Sequence, residues 1–137
     1  MKTHTTNYTN AFILVADDCP ITKAEMPPAK DGKKSVATMQ FDMLYENPYK
    51  YTSDDVLFTV YADRNAIPEN ERPEAREQFF SKGQACFRAS PLTKRYGWGV
   101  HHNAEGQIAI YPVESEAYAT YAADASLNVV KAMRSSK

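Results

Sequence analysis

The period of the hydrophobic positions changes near Gly83, and that change sorts the predicted elements into two groups. Before it, Ala11 to Ala16 form a short apolar run closed by the acidic turn Asp17-Asp18-Cys19-Pro20, a length that predicts a buried strand. Residues 21–34, with Pro27-Pro28 and Asp31-Gly32, read as a surface loop. Over residues 35–46 two patterns coincide. Met39, Phe41, Met43 and Tyr45 alternate as in a strand, whereas Val36, Met39, Met43 and Leu44 form a helical stripe. The methionines, Ala37, Gln40 and the stop Asn47-Pro48 decide for helix. Thr52-Ser53-Asp54-Asp55 then reads as a helix start, a hydroxyl cap followed by two carboxylates at the positive end of the macrodipole. Val56, Leu57, Val60 and Tyr61 supply its apolar face, and Asn65 its end; the β-branched and aromatic content makes a strand the competing reading. Residues 69–82 give the clearest helix. It begins near Glu71 or Arg72 because Pro73 fits only the first turn, Ala75 and Phe79 face inward, and Gly83 takes the left-handed closing position.

After Gly83 the pattern alternates. Residues 85–88, 97–102 and 107–112 read as short strands, with Asn103-Ala104-Glu105-Gly106 as a hairpin turn between the last two. Ile108 and Ile110 would share one face, Ala109 and Tyr111 the other. The tail predicts two helices, residues 114–121 and 126–133, the second with Leu127, Val130 and Met133 inward. Strands and helices in mixed order, without a regular βαβ rhythm, predict one α+β domain over residues 1–137: a small antiparallel sheet with a hairpin in the C-terminal half, packed against several short helices.

Composition agrees with a single globular domain. The chain has 137 residues, 43% hydrophobic and 24% charged, enough for a core of its own. Its apolar runs are too short to span a bilayer, and no export signal is visible. Two cysteines, Cys19 and Cys86, lie far apart without a CxxC spacing, so reduced thiols in the cytoplasm are expected. Nine tyrosines, each an apolar ring with a polar tip, suit core edges, a cleft or an interface.

Charge changes the picture locally. The formal net charge is −1, which argues against a general nucleic-acid binder while leaving a local patch open. From Gln78 to Ala104 there is no Asp or Glu, while Lys82, Arg88, Lys94 and Arg95 are present. Such a segment favours an anion. Its centre, SPLTKRYGWG followed by Val100-His101-His102, holds the only tryptophan and two of the three histidines.

The pattern HTTNY, DCP-ITKAE, ENPYKYTSDDVLF, REQFFSKGQACFR, SPLTKRYGWG and VVKAMRS resembles a group of small bacterial proteins classed only as a domain of unknown function. The resemblance covers nearly the whole chain, with SPLTKRYGWG its most distinctive part. It implies a bacterial, single-domain, full-length protein and carries over no activity, cofactor or catalytic residue.

The residues that bear chemistry are therefore read on their own terms. Arg95 suits a bidentate contact to phosphate or carboxylate, with Lys94 or Arg88 assisting, Gly97 and Gly99 admitting a ligand and Tyr96 or Trp98 stacking on a ring. Against this, neighbours on a strand point to opposite faces, so Lys94 and Arg95 would diverge. His101 and His102 suit a general base, but adjacent histidines diverge too, and no partner spacing completes a metal site; the bland alternative is one exposed and one half-buried imidazole. Cys86, in the acid-free segment, is the better candidate nucleophile of the two thiols, with a small core residue as its bland alternative. The aromatic turn Asn47-Pro48-Tyr49-Lys50-Tyr51 suits a cleft wall or a self-packed connection.

The favoured reading is a small binding domain for an anionic ligand or partner, with Arg88, Lys94, Arg95, Tyr96, Trp98 and His101 as candidate binding residues. The alternatives are a small cytoplasmic enzyme using His101, His102 or Cys86, and a homodimeric interaction protein. No metal and no cofactor are expected.

Overall fold

The computed structural model describes residues 5–27, 35–84 and 86–134. Among these residues four strands, β1 (Ala11–Leu14), β2 (Trp98–His102), β3 (Ile108–Pro112) and β4 (Asn128–Lys131), form one sheet in the order β3-β2-β1-β4. Among the described residues, five α-helices complete the α+β fold: α1 (Val36–Tyr45), α2 (Ser53–Arg64), α3 (Arg72–Phe79), α4 (Pro91–Lys94) and α5 (Glu116–Ala122).

The hairpin β2–β3 is antiparallel, pairing Val100 with Ile110, and its turn closes through Gly106 N–H to Asn103 O. β1 runs antiparallel to β2, with Ile13 opposite Val100. β4 lies parallel to β1, Phe12 opposite Val129, so the sheet is mixed. This corrects the helix expected over residues 126–133. Val129-Val130 favour extended backbone, and β4 gains a full partner in β1; a short Leu127, Val130, Met133 spacing cannot register a partner that far away in sequence. Val130 packs on the core as expected, while Met133 is exposed.

A second correction concerns residues 85–88, of which Ala85 lies outside the described residues. The segment forms a single 3-10 turn, Phe87–Ala89, whose first amides are met by the Cys86 sulfur accepting from the Arg88 N–H. Ser90 then caps α4, its hydroxyl accepting from the Leu92 N–H, with Pro91 in the first turn. Ser-Pro is a strong helix start, so the centre of the acid-free segment is helical.

The expected helices over residues 35–46, from residue 52 onward, and over residues 69–82 and 114–121 are present with shorter bounds. Ser35, Thr52 and Ser115 each cap their helix, and Thr52 with Asp55 closes a full capping box. Asp54 does something else. Its buried carboxylate accepts from the Thr6 N–H and hydroxyl, both at 2.7 Å, and from the Thr5 hydroxyl at 2.6 Å, tying residues 5–6 to α2. α3 starts at Arg72 and stops at Phe79, and Gly83 has no positive φ, so the expected left-handed closure there is absent. Ala75 and Phe79 pack with Phe58, Ala62 and buried Phe80 in a small core between α2 and α3. The Asp31-Gly32 turn lies outside the described residues.

Alternation sets the two faces of the sheet. Ile13, Trp98, Val100, Ile108 and Ile110 point into the main core with Phe41, Leu44, Val56, Phe87 and Leu92, contributed by α1, α2, α4 and the 3-10 turn. Phe12, Gly99, His101, Ala109 and Tyr111 point the other way, where α5 lies.

Candidate functional site

α4 ends at Lys94, and Arg95 follows as its closing residue. Lys94, Arg95 and Tyr96 line a cavity of about 440 Å³ together with Ser35, Val36, Ala37, Ala89 and Pro91. The expected divergence of Lys94 and Arg95 assumed strand geometry; at a helix end both reach one cavity. The same cavity is lined by the start of α1, whose first turn contains no acidic residue. The amides of that turn have no acceptor inside the helix and carry the positive end of its dipole. Lys94 is half-buried, Arg95 exposed, and among the described residues neither is paired with a carboxylate.

The other candidate binding residues lie elsewhere. Trp98 is a core residue: its ring packs edge-on against Phe41, and its indole N–H donates to the Glu25 carbonyl at 2.9 Å. That bond, with the Glu25 N–H to Tyr96 O bond, ties the preceding loop down. Gly97 permits this close approach. Its φ is +81°, and a Cβ there would meet Ala24 Cα at 3.1 Å. Arg88 turns toward the C-terminal strand, its Nε–H donating to Lys131 O at 2.7 Å.

His101 is on the opposite face of the sheet from Trp98, at the centre of a cluster that sequence reasoning did not assemble. The Tyr49 hydroxyl oxygen lies 2.8 Å from His101 Nδ1, 2.8 Å from the Tyr111 hydroxyl and 3.4 Å from the Tyr121 hydroxyl. The His101 and Tyr121 rings stack with centroids 4.1 Å apart. Four separate elements bring these groups together. The residue 47–52 connection lays itself along the edge of β3, with Tyr49 N–H to Ile108 O at 2.9 Å and Ile108 N–H to Tyr51 O at 2.8 Å. Tyr49 adopts φ +61° to do so, a conformation uncommon for a bulky residue. Beneath the cluster Phe12 is fully buried, and Gly99 leaves room for the rings; a Cβ there would come within 2.6 Å of Tyr118 and 2.7 Å of Phe12.

Burial raises the Tyr111 phenol above its ordinary value, and burial with the neighbouring hydroxyls raises Tyr49. Burial also holds His101 below the ordinary imidazole value, against the opposing pull of the Asp124 carboxylate. With its proton on Nε2, a neutral His101 accepts the Tyr49 proton at Nδ1, and Tyr49 then accepts from Tyr111 and Tyr121. The abundance of tyrosine was the signal for this cluster; its members are too far apart in sequence for any local spacing to reveal it.

His102 points into the main core. It is 1% exposed, with Nδ1 lacking a hydrogen-bond partner and the Tyr8 ring centred 5.4 Å away. Burial pushes its pKa down to about 4. The pair is thus one buried and one half-buried imidazole, rather than one half-buried and one exposed. Cys86 is a free thiol whose partners are the Tyr8 hydroxyl, at 3.4 Å, and the Arg88 amide; neither is a general base. Among the described residues no group of three or more His, Cys, Asp or Glu converges, and no helix is long and apolar enough to cross a membrane. The third histidine of the chain, His4, lies outside the described residues.

A family model matches residues 3–137, nearly the full chain. The chain belongs to DUF6157, a family of unknown function. No curated protein and no solved structure matches it. The DUF6157 assignment agrees with the near full-length resemblance read from the sequence, and Pro91, Lys94, Arg95 and Tyr96 of the basic cavity all belong to the stretch SPLTKRYGWG.

Proposed function

We propose that this protein is a small binding domain for an anionic small molecule bearing a phosphate or carboxylate, seated between the end of α4 and the start of α1. The observation that carries the reading is the convergence of Lys94 and Arg95 on one cavity with the acid-free first turn of α1. The cavity volume falls within the range of about 300–1,000 Å³ typical of small-molecule sites. Arg95 supplies a planar fork for two anion oxygens, Lys94 a point charge, and Tyr96 an aromatic wall for the rest of the ligand. Trp98 shapes the site from behind by fixing the loop through Glu25, without touching the ligand. The two free thiols and the bacterial resemblance support a place in the bacterial cytoplasm.

The test is a thermal-shift screen of phosphate, nucleotides, sugar phosphates and dicarboxylates, followed by calorimetry on variants. A charge-assisted contact contributes about 1.5–3 kcal/mol, so Arg95→Ala should weaken a stabilising anion by roughly 10- to 100-fold. Arg95→Lys should recover only part of that loss, and Arg88→Ala should leave the affinity unchanged. An anion whose affinity is the same in wild type, Arg95→Ala and Lys94→Ala would refute the reading.

A further inference from the structure

The Tyr49 cluster lies outside the anion site, on the opposite face of the sheet, and its geometry asks a separate question. Three phenol oxygens and one imidazole nitrogen gather from four elements, all four side chains half-buried and thus reachable from solvent. Packing alone does not call for this, since phenylalanine would fill the same space. We propose that Tyr49, Tyr111, Tyr121 and His101 form a binding site for a hard trivalent metal ion of the ferric class, with three phenolate oxygens and His101 Nδ1 as ligands.

Distance is the first argument. Two donors each about 2.0–2.1 Å from one ion, at octahedral or tetrahedral angles, lie about 2.8–3.4 Å apart. The separations from the Tyr49 oxygen are 2.8, 2.8 and 3.4 Å. Each of the other three donors therefore lies about one such edge length from the Tyr49 oxygen. The Tyr49 hydroxyl, with one proton to give and two lone pairs, keeps three partners in place without an ion.

Charge is the second argument. Binding breaks three phenol O–H bonds, forms three metal–oxygen bonds and one metal–nitrogen bond, and releases three protons to solvent; no electron is transferred. Three phenolates cancel a trivalent ion, and the imidazole is neutral, so a half-buried site ends without net charge. A divalent ion would leave one uncompensated negative charge beside Asp124, whose carboxylate already acts on His101. Donor chemistry points the same way: phenolate is a hard, anionic oxygen donor, and the set contains no thiolate of the kind that selects softer metals. The Asp124 carboxylate acts on the His101 imidazole through its charge, and is itself held by the Ser126 amide and hydroxyl at 2.8 and 2.6 Å.

The experiment titrates metal-free protein with ferric nitrilotriacetate near neutral pH, reading the visible phenolate-to-iron charge-transfer band, with iron counted by elemental analysis after desalting. The expected result is a coloured species that saturates at one iron per chain. Tyr49→Phe and Tyr111→Phe should each weaken binding by at least about tenfold and reduce the band, His101→Ala should weaken binding while keeping it, and Tyr61→Phe, an exposed residue outside the cluster, should change nothing. Gallium(III), titrated into isotopically labelled wild type, gives a second readout that needs no variant to fold; the ring resonances of Tyr49 and His101 should shift. Absence of a band at stoichiometric iron, a band that survives both Tyr49→Phe and Tyr111→Phe, or gallium shifts confined to other tyrosines would overturn the proposal.

Discussion

One face of the sheet carries Ile13, Val100, Ile108 and Ile110, all buried against α1, α2 and α4. The other carries Phe12, Gly99, His101 and Tyr111 under α5, a helix of 7 residues with no buried position of its own. The first face is held by apolar contact, which is cumulative and tolerant of exchange between residues of similar volume. The second is held by ring stacking over Phe12 and by hydroxyls that must meet at hydrogen-bond distance. A hydrogen bond adds little net stability but fixes geometry closely. The comparison teaches where each kind of residue is placed: the apolar face carries most of the packing, and the hydroxyl-lined face adds closely fixed geometry over a buried Phe12.

Breaking the apolar face should have the largest effect. Ile13 is fully buried and lies on a central strand between β2 and β4. Ile13→Ala should cost about 2–5 kcal/mol, the lost transfer energy plus the cavity left behind. Chemical denaturation of the purified variant checks this, and a loss under about 1 kcal/mol would mean that this face is not the main source of stability.

His102 is the polar exception on the apolar face, and it makes the comparison depend on pH. Its folded-state pKa, about 4, lies below the ordinary imidazole value of about 6.5. Above about pH 6.5 the group is neutral in both folded and unfolded chains and has no effect. As pH falls toward 4 the unfolded chain takes up the proton first, so stability declines, with the loss complete below the folded value and totalling about 3 kcal/mol. His101, also held down by burial, acts in the same direction. Urea midpoints at pH 7, 5.5 and 4.5 should fall steadily in wild type. In His102→Phe, which keeps a ring against Tyr8 and removes the titration, most of that decline should vanish; an equal decline in both proteins would show that His102 is not its source.

These two faces were not equally legible in the sequence. The apolar one was written in local patterns: the run at Ala11, the hairpin turn at residues 103–106 and the helix start at Thr52 each signal within a few residues. Ser90-Pro91 was also a legible helix start, but the alternation expected around it hid the signal. β4 could not be read in this way, because a four-residue strand whose partner β1 lies more than a hundred residues earlier shows only a short apolar spacing that suits a helix as well. The candidate residues divided for the same reason. Lys94, Arg95 and Tyr96 are contiguous and meet at one cavity, whereas Trp98 and His101, separated by an odd number of strand positions, point to opposite faces. The Tyr49, Tyr111 and Tyr121 assembly needs three long-range placements at once, and composition could report only that tyrosines were plentiful.

The smallest predicted effects sharpen the comparison on the hydroxyl-lined face, where order matters more than size. The Tyr49 hydroxyl is the common partner of His101, Tyr111 and Tyr121, whereas the Tyr111 hydroxyl sits at the edge of that network. Tyr49→Phe keeps the ring and its backbone conformation but leaves three half-buried polar groups each short of a partner, at a cost of about 2 kcal/mol. Tyr111→Phe removes one hydroxyl and leaves Tyr49 two partners, at a cost of about 1 kcal/mol. In the double variant the loss should fall short of the sum, because the Tyr49–Tyr111 bond is counted in both single changes. Thermal and urea unfolding of the three variants at neutral pH, in metal-free buffer, reads all of this at once. Equal losses in the two single variants, with strict additivity in the double, would mean that the hydroxyls act independently through solvent and that Tyr49 is not the hub of the face.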